Sequence, residues 1–166
     1  GDMETLEEIE VVKNQPGLTI CDYRNITIDP TCGSEFDKAN FIIDSFEASK
    51  SDLERTGLYK NLDKITVADR ADGTHHSKDQ DFNFSDESRK KFVVYEYWGY
   101  WDIDDSGITV PIVATWVGNT LIRLEHNPYP DQAIPFVVVP YLPVKDSVYG
   151  EPDAVLLEDH QKLIGA

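Results

Sequence analysis

Asp102, Asp104 and Ser106, followed by Gly107, imitate the first half of a calcium-binding loop, where oxygen side chains alternate ahead of a sharp glycine turn. The bidentate carboxylate that such a loop needs at its twelfth position would fall on Val113, and the flanking residues read as strands, not helices. Residues 102–107 are therefore expected to form an acidic hairpin turn. His75 and His76, with Asp79 and Asp81 nearby, carry the groups that ligate zinc. Adjacent histidines on a polar loop aim poorly at one ion, and no third partner stands at useful spacing, so a solvated loop is expected. Paired carboxylates are common in this chain, but a glycosidase-type pair must be held about 5 Å or roughly 6.5–9.5 Å apart in a cleft. There is no Gly-x-Ser-x-Gly elbow, phosphate-cradling glycine loop or His-Glu-x-x-His. The sequence predicts no catalytic residues, no cofactor-binding residues, no metal ligands and no enzyme.

Trp98, Tyr100, Trp101 and Trp116 concentrate aromatic area on one sheet. They are expected to serve as core and subunit contact. The alternative is a sugar-stacking platform around Trp98 and Trp101, which would make the chain a β-rich carbohydrate-binding or adhesion module. A metal-dependent hydrolase, the third class, would need clustered carboxylates in a cleft.

The elements that must position these groups follow from composition and pattern. The chain has 166 residues, 40% of them apolar, with three Trp, eight Tyr and seven Phe. That is far richer than a disordered acidic tail, and a folded core is expected. Thirty-one acidic residues against fifteen basic ones give a net charge of -16. So negative a surface disfavours binding to phosphate backbones and acidic headgroups, although it suits a wall past which nucleic acid slides. No run approaches the ~18 apolar residues of a membrane span. Gly1-Asp2-Met3 reads as an expression scar ahead of an excised piece, and Cys21 and Cys32 are expected to be free thiols.

Residues 4–13 fit a helical turn or an edge strand equally, and Pro16-Gly17 marks a turn. Residues 18–20 and 25–28 read as short strands, the second ended by Asp29-Pro30. Residues 41–46 form another. Ser49-Lys50-Ser51-Asp52 is a capping box for a short helix that Gly57 ends. Residues 69–91 are polar, and a mobile excursion is expected that separates sub-lobes 1–68 and 92–166 of one β-rich domain.

From Phe92, Val93, Tyr95, Tyr97, Trp101 and Ile103 alternate with Val94, Glu96, Trp98 and Asp102, which predicts a strand with one buried face. Residues 108–117 and 120–125 return in turn, completing a three-stranded antiparallel meander. Pro111 argues for an edge or a bulge in its strand. Residues 136–139, between Pro135 and Pro140, read as one more strand. A C-terminal helix starts at Glu151-Pro152-Asp153; Leu156, His160 and Leu163 recur at helical spacing with Leu157, Gln161 and Ile164 close behind, so its apolar side is wide for its length. It is expected to fold back on the sheet or pair with a neighbouring copy, and to continue in a longer protein. The fold class is α+β: an antiparallel β-rich domain with short helices and a C-terminal helix.

Four ordered segments carry a resemblance. The first is 23–30, a strand ending in Asp-Pro. The second is Ala39-Asn40-Phe41-Ile42-Ile43, followed by Ser51-Asp52-Leu53 and Gly57-Leu58-Tyr59. The third is Val94-Tyr95-Glu96-Tyr97-Trp98-Gly99 with 121–128 behind it, and the last runs from Pro135-Phe136-Val137 through Tyr149-Gly150-Glu151-Pro152 to Asp159-His160-Gln161-Lys162. In this order and spacing, from about residue 19 onward, they resemble the portal (head-to-tail connector) proteins of tailed bacteriophages. The resemblance implies an internal piece of a structural, non-catalytic ring, typically of twelve subunits, at one capsid vertex of the virion, assembled in the host cytoplasm. Its implied partners are copies of itself, terminase, capsid and tail adaptor proteins. DNA would pass through the ring without sequence-specific binding, and no membrane or cofactor is implied.

Overall fold

The computed structural model describes residues 17–66, 84–86 and 88–165. Five antiparallel strands follow one another in chain order across a single sheet: β1 (Ile26–Ile28), β2 (Phe41–Ser49), β3 (Lys91–Trp101), β4 (Val110–Val117) and β5 (Thr120–His126). Every residue of β2 pairs with β3, from Phe41 opposite Gly99 to Ser49 opposite Lys91. The two sides of the 69–91 stretch therefore share one sheet. Most of that stretch, with His75, His76, Asp79 and Asp81, lies outside the described residues, as does residues 4–13.

The capping box forms as expected. Helix α1 (Lys50–Thr56) begins where the Ser49 hydroxyl accepts from the Asp52 amide and the Asp52 carboxylate accepts from the Ser49 amide at 3.1 Å. Gly57 closes it in the left-handed conformation, at φ 69°. Leu53, the one buried residue of this helix, anchors it to the sheet.

Strand parity sorts the side chains. Phe92, Val94, Glu96 and Trp98 of β3 face the core, whereas Tyr95, Tyr97 and Trp101 lie on the other side. On the core face two apolar clusters form. Phe92, Val94, Val117 and Ile122 pack with Ala48, Leu53, Leu62 and Ile65 under α1. Ile42, Trp98 and Val113 pack with Ile28, Cys32, Ala39 and Val148 at the opposite end. Both cysteines are free.

Four expectations change. Residues 18–20 join no ladder and stay exposed. Residues 136–139 are not a strand either, although they keep its alternation: Ile134, Phe136 and Val138 pack on the second cluster, while Val137 and Val139 are 81% and 82% exposed. Pro135 and Pro140 remove ladder donors at both ends, and the segment is held by side-chain packing and by the Phe136 amide donating to the Ile134 carbonyl at 2.8 Å. Pro111 sits in an interior strand, opposite Tyr100, one residue after β4 starts, where its carbonyl accepts from the Asn127 amide at 3.0 Å. The bulge lies further on, beside Thr115 and Trp116, and leaves Ile122 of β5 without a cross-strand partner on β4. Helix α2 (Asp153–Ile164) does not fold back on the sheet, and none of its residues is buried.

Candidate functional site: a polar row across the sheet

Between the two apolar clusters runs a line of polar side chains. Asp44, Glu96, Thr115 and Arg123 are successive cross-strand partners on β2, β3, β4 and β5. The β5 bulge turns Ile122 and Arg123 to the same face, so a core residue and a cation stand side by side.

Glu96 is the hub. The Trp98 indole donates to its Oε1 at 2.8 Å, the Thr115 hydroxyl donates to its Oε2 at 3.2 Å, and Arg123 Nη1 lies 3.7 Å from the same oxygen. Thr115 is fully buried and the Arg123 side chain is only 10% exposed. Arg123 also donates through Nε to Glu125 at 2.8 Å and through Nη2 to the same oxygen, and its guanidinium lies 6.0 Å from the Trp98 ring centre. Both oxygens of Glu96 are thus engaged within the sheet.

Asp44 has no such support. Burial, and then the charge of Glu96 directly opposite, push its carboxyl up to about 6, against one favourable bond from the Ser45 amide. Glu96 also raises the nearby Tyr59 hydroxyl, after the larger effect of burial. Asp44, Glu96 and Trp98 form the floor of an open groove of about 1250 Å³, whose walls are the extended segments 17–21 and 135–141.

A second polar knot ties β1 to β2. Asp29 is buried and accepts four bonds: from the Thr31 amide at 2.8 Å and hydroxyl at 2.7 Å, and from the Asn40 amide at 2.9 Å and side chain at 2.8 Å. The Thr31 hydroxyl is the largest of the effects that hold its carboxyl well below the usual carboxylate range.

On the opposite face the aromatic side chains form a ladder. Phe41 stacks on Tyr97 at 5.8 Å, Tyr97 meets Trp101 edge-on at 6.3 Å, and Tyr95 stacks on Trp116 at 5.6 Å. Trp98 and Trp101, three residues apart on one strand, point to opposite faces. Trp98 is buried against Tyr129, whereas Trp101 is 60% exposed, so they build no shared sugar platform. The Asp102 carboxylate is used within its own turn, accepting from the Ser106 amide at 3.1 Å and the Gly107 amide at 2.7 Å. Among the described residues, no three His, Cys, Asp or Glu side chains are grouped to hold a metal.

Neither polar feature stands out in the sequence as a functional motif. A charged Glu96 between Val94 and Trp98, and Thr115 between Val113 and Val117, each interrupt an apolar face at the same parity. That was the available signal. The Asp29 knot had a weaker one, since Asp-Pro reads first as a strand end.

Residues 3–166 match the family model described as phage SU10 portal protein. The chain belongs to the phage SU10 portal protein family. This family is structural, a bacteriophage head-to-tail connector associated with DNA packaging. The portal-like segments noted in the sequence converge in space: Asp29 follows β1 and bonds to Asn40, β2 begins beside Asn40, and Gly99 of β3 packs against Asn40 and Phe41. The fold is α+β, built on the antiparallel sheet and ending in α2. No helix among the described residues is long and apolar enough to cross a membrane.

Proposed function

We propose that this chain forms part of the wall of a portal ring at the capsid vertex, through which DNA is packaged and ejected, and that it works without catalysis. Membership of the portal family over residues 3–166 carries this reading. The chemistry of the polar row agrees with it. Glu96 is held by Trp98 and Thr115 and paired with Arg123, which in turn donates to Glu125, as in a rigid building element. In the assembled portal, terminase, capsid and tail adaptors are the docking partners, and assembly takes place in the host cytoplasm.

The charge of -16 suits a surface that lets DNA pass without gripping it, because the counterion-release term that drives non-specific binding has the wrong sign. A fluorescence anisotropy titration with duplex DNA at physiological salt is expected to show no binding. Micromolar, salt-sensitive binding would overturn the passive-wall reading. For location, antibodies raised against the chain are expected to label one vertex of intact particles in electron micrographs; labelling at all vertices or along the tail would contradict it.

A further inference from the structure

The chain exposes two apolar surfaces, a groove and a helix stripe, on elements that touch where the Tyr141 hydroxyl donates to Asp153 at 3.2 Å. The groove walls present Leu18, Ile20, Val137, Val139 and Tyr141 to solvent, and the amides of Val137 and Val139 have no partner among the described residues. Helix α2 presents Leu156, Leu157, Leu163 and Ile164, all exposed, with His160 at the centre of the same stripe by helical spacing. Exposed apolar area on this scale marks an interaction surface.

We infer that α2 of one copy docks in the groove of the next, with His160 set against Asp44, giving a head-to-tail contact between neighbouring subunits. This rests on the ring reading above and names its interface. Three observations favour a second copy as the occupant. Lengths agree: a helix of 12 residues spans about 18 Å, and an extended wall of five to seven residues spans roughly 17–23 Å. Polar groups agree as well. Of the carboxylates that line the groove, Glu96 pairs with Arg123, while Asp44 and Glu151 have no cation among the described residues, and the stripe of α2 carries His160 and Gln161 as groups able to donate. Finally, groove and helix are different surfaces of one chain, and a contact between unlike surfaces propagates around a ring, whereas a self-complementary patch stops at a dimer.

Cys21 lines the groove and provides the test. Copies with the native sequence are mixed with copies carrying Cys21→Ser and Leu163→Cys, treated with a short bifunctional maleimide, and followed by sedimentation velocity in parallel. A cross-linked pair of unlike chains is expected. Val139→Asp, at an exposed position where the melting temperature is expected to stay unaltered, is expected to reduce that product about tenfold or more by burying an unpaired charge. A chain carrying both Cys21 and Leu163→Cys that links to itself at high dilution would show α2 in its own groove and overturn the proposal. Self-association without the cross-link would also overturn it while leaving the ring reading intact. Monomers that neither associate nor cross-link would overturn the interface and the ring reading for this chain together.

Discussion

Gly99 packs so closely on Asn40 that a β-carbon on the glycine would lie 2.3 Å from the Asn40 carbonyl oxygen and 2.7 Å from the Phe41 α-carbon. The Asn40 carbonyl is also the acceptor for the Tyr100 amide at 2.9 Å. The close approach is therefore made by hydrogen-bonded backbone, which cannot step aside as the tip of a flexible side chain can. Gly99→Ala is expected to destabilise the fold by about 2–4 kcal/mol, since overpacking here must part β2 from β3. Urea unfolding with an unchanged slope and a lower midpoint would register the loss.

Asp29 holds the neighbouring corner, and its four donors would be left unsatisfied by Asp29→Ala. A loss of about 2–4 kcal/mol is expected at neutral pH, by the usual cost of orphaned buried donors. The pH dependence has a definite sign. Because folding lowers this carboxyl, its contribution is present above the unfolded carboxylate value and fades as pH falls toward the folded one. The gap between wild type and Asp29→Ala is thus expected to narrow in acid, as measured by melting at pH 7 and below pH 3.

Asp44 behaves in the opposite way. Folding raises its carboxyl to about 6, so its favourable contribution is complete below the unfolded value and is lost as pH rises through about 6. At pH 7 the charged form is held against its preference. Asp44→Asn is expected to stabilise the isolated chain there by about 1 kcal/mol, a figure reduced for partial solvent screening. Near pH 4 the benefit should disappear. Equal melting shifts at both pH values would show that folding does not raise the Asp44 carboxyl.

Ser49→Ala removes the hydroxyl of the capping box. Its expected cost is about 1 kcal/mol, and the loss should fall first on α1 and the Leu53 contact beneath it. Hydrogen exchange of the α1 amides is expected to speed up more than that of β3. Uniform acceleration across the sheet would mean that α1 opens only with the whole fold.

Some of this architecture was written in local sequence. The capping box and Gly57 bounded α1 because they satisfy backbone groups within a few residues of themselves. The β3–β4–β5 meander was legible because period-two alternation and tight turns are also local. The portal likeness depended on ordered segments along the chain, and the family match over residues 3–166 agrees with it.

What the sequence determined by itself was therefore the bounds of α1, the β3–β4–β5 meander, the acidic charge and the family, all set by neighbouring residues or by order along the chain. Tertiary structure alone decided the rest. Residues 136–139 have a strand's alternation, yet whether such a segment joins a sheet depends on a partner backbone in reach, and none of the described strands offers one. Which face of β3 became the core was settled by what covers it: Leu53, Leu62 and Ile65 at one end, and Ile134, Phe136, Val138 and Val148 at the other. The row from Asp44 to Arg123 exists because register brings four strands into line and one bulge in β5 turns Arg123 inward. Register is a property of pairs of strands, and a one-residue slip would send each of those side chains to the opposite face.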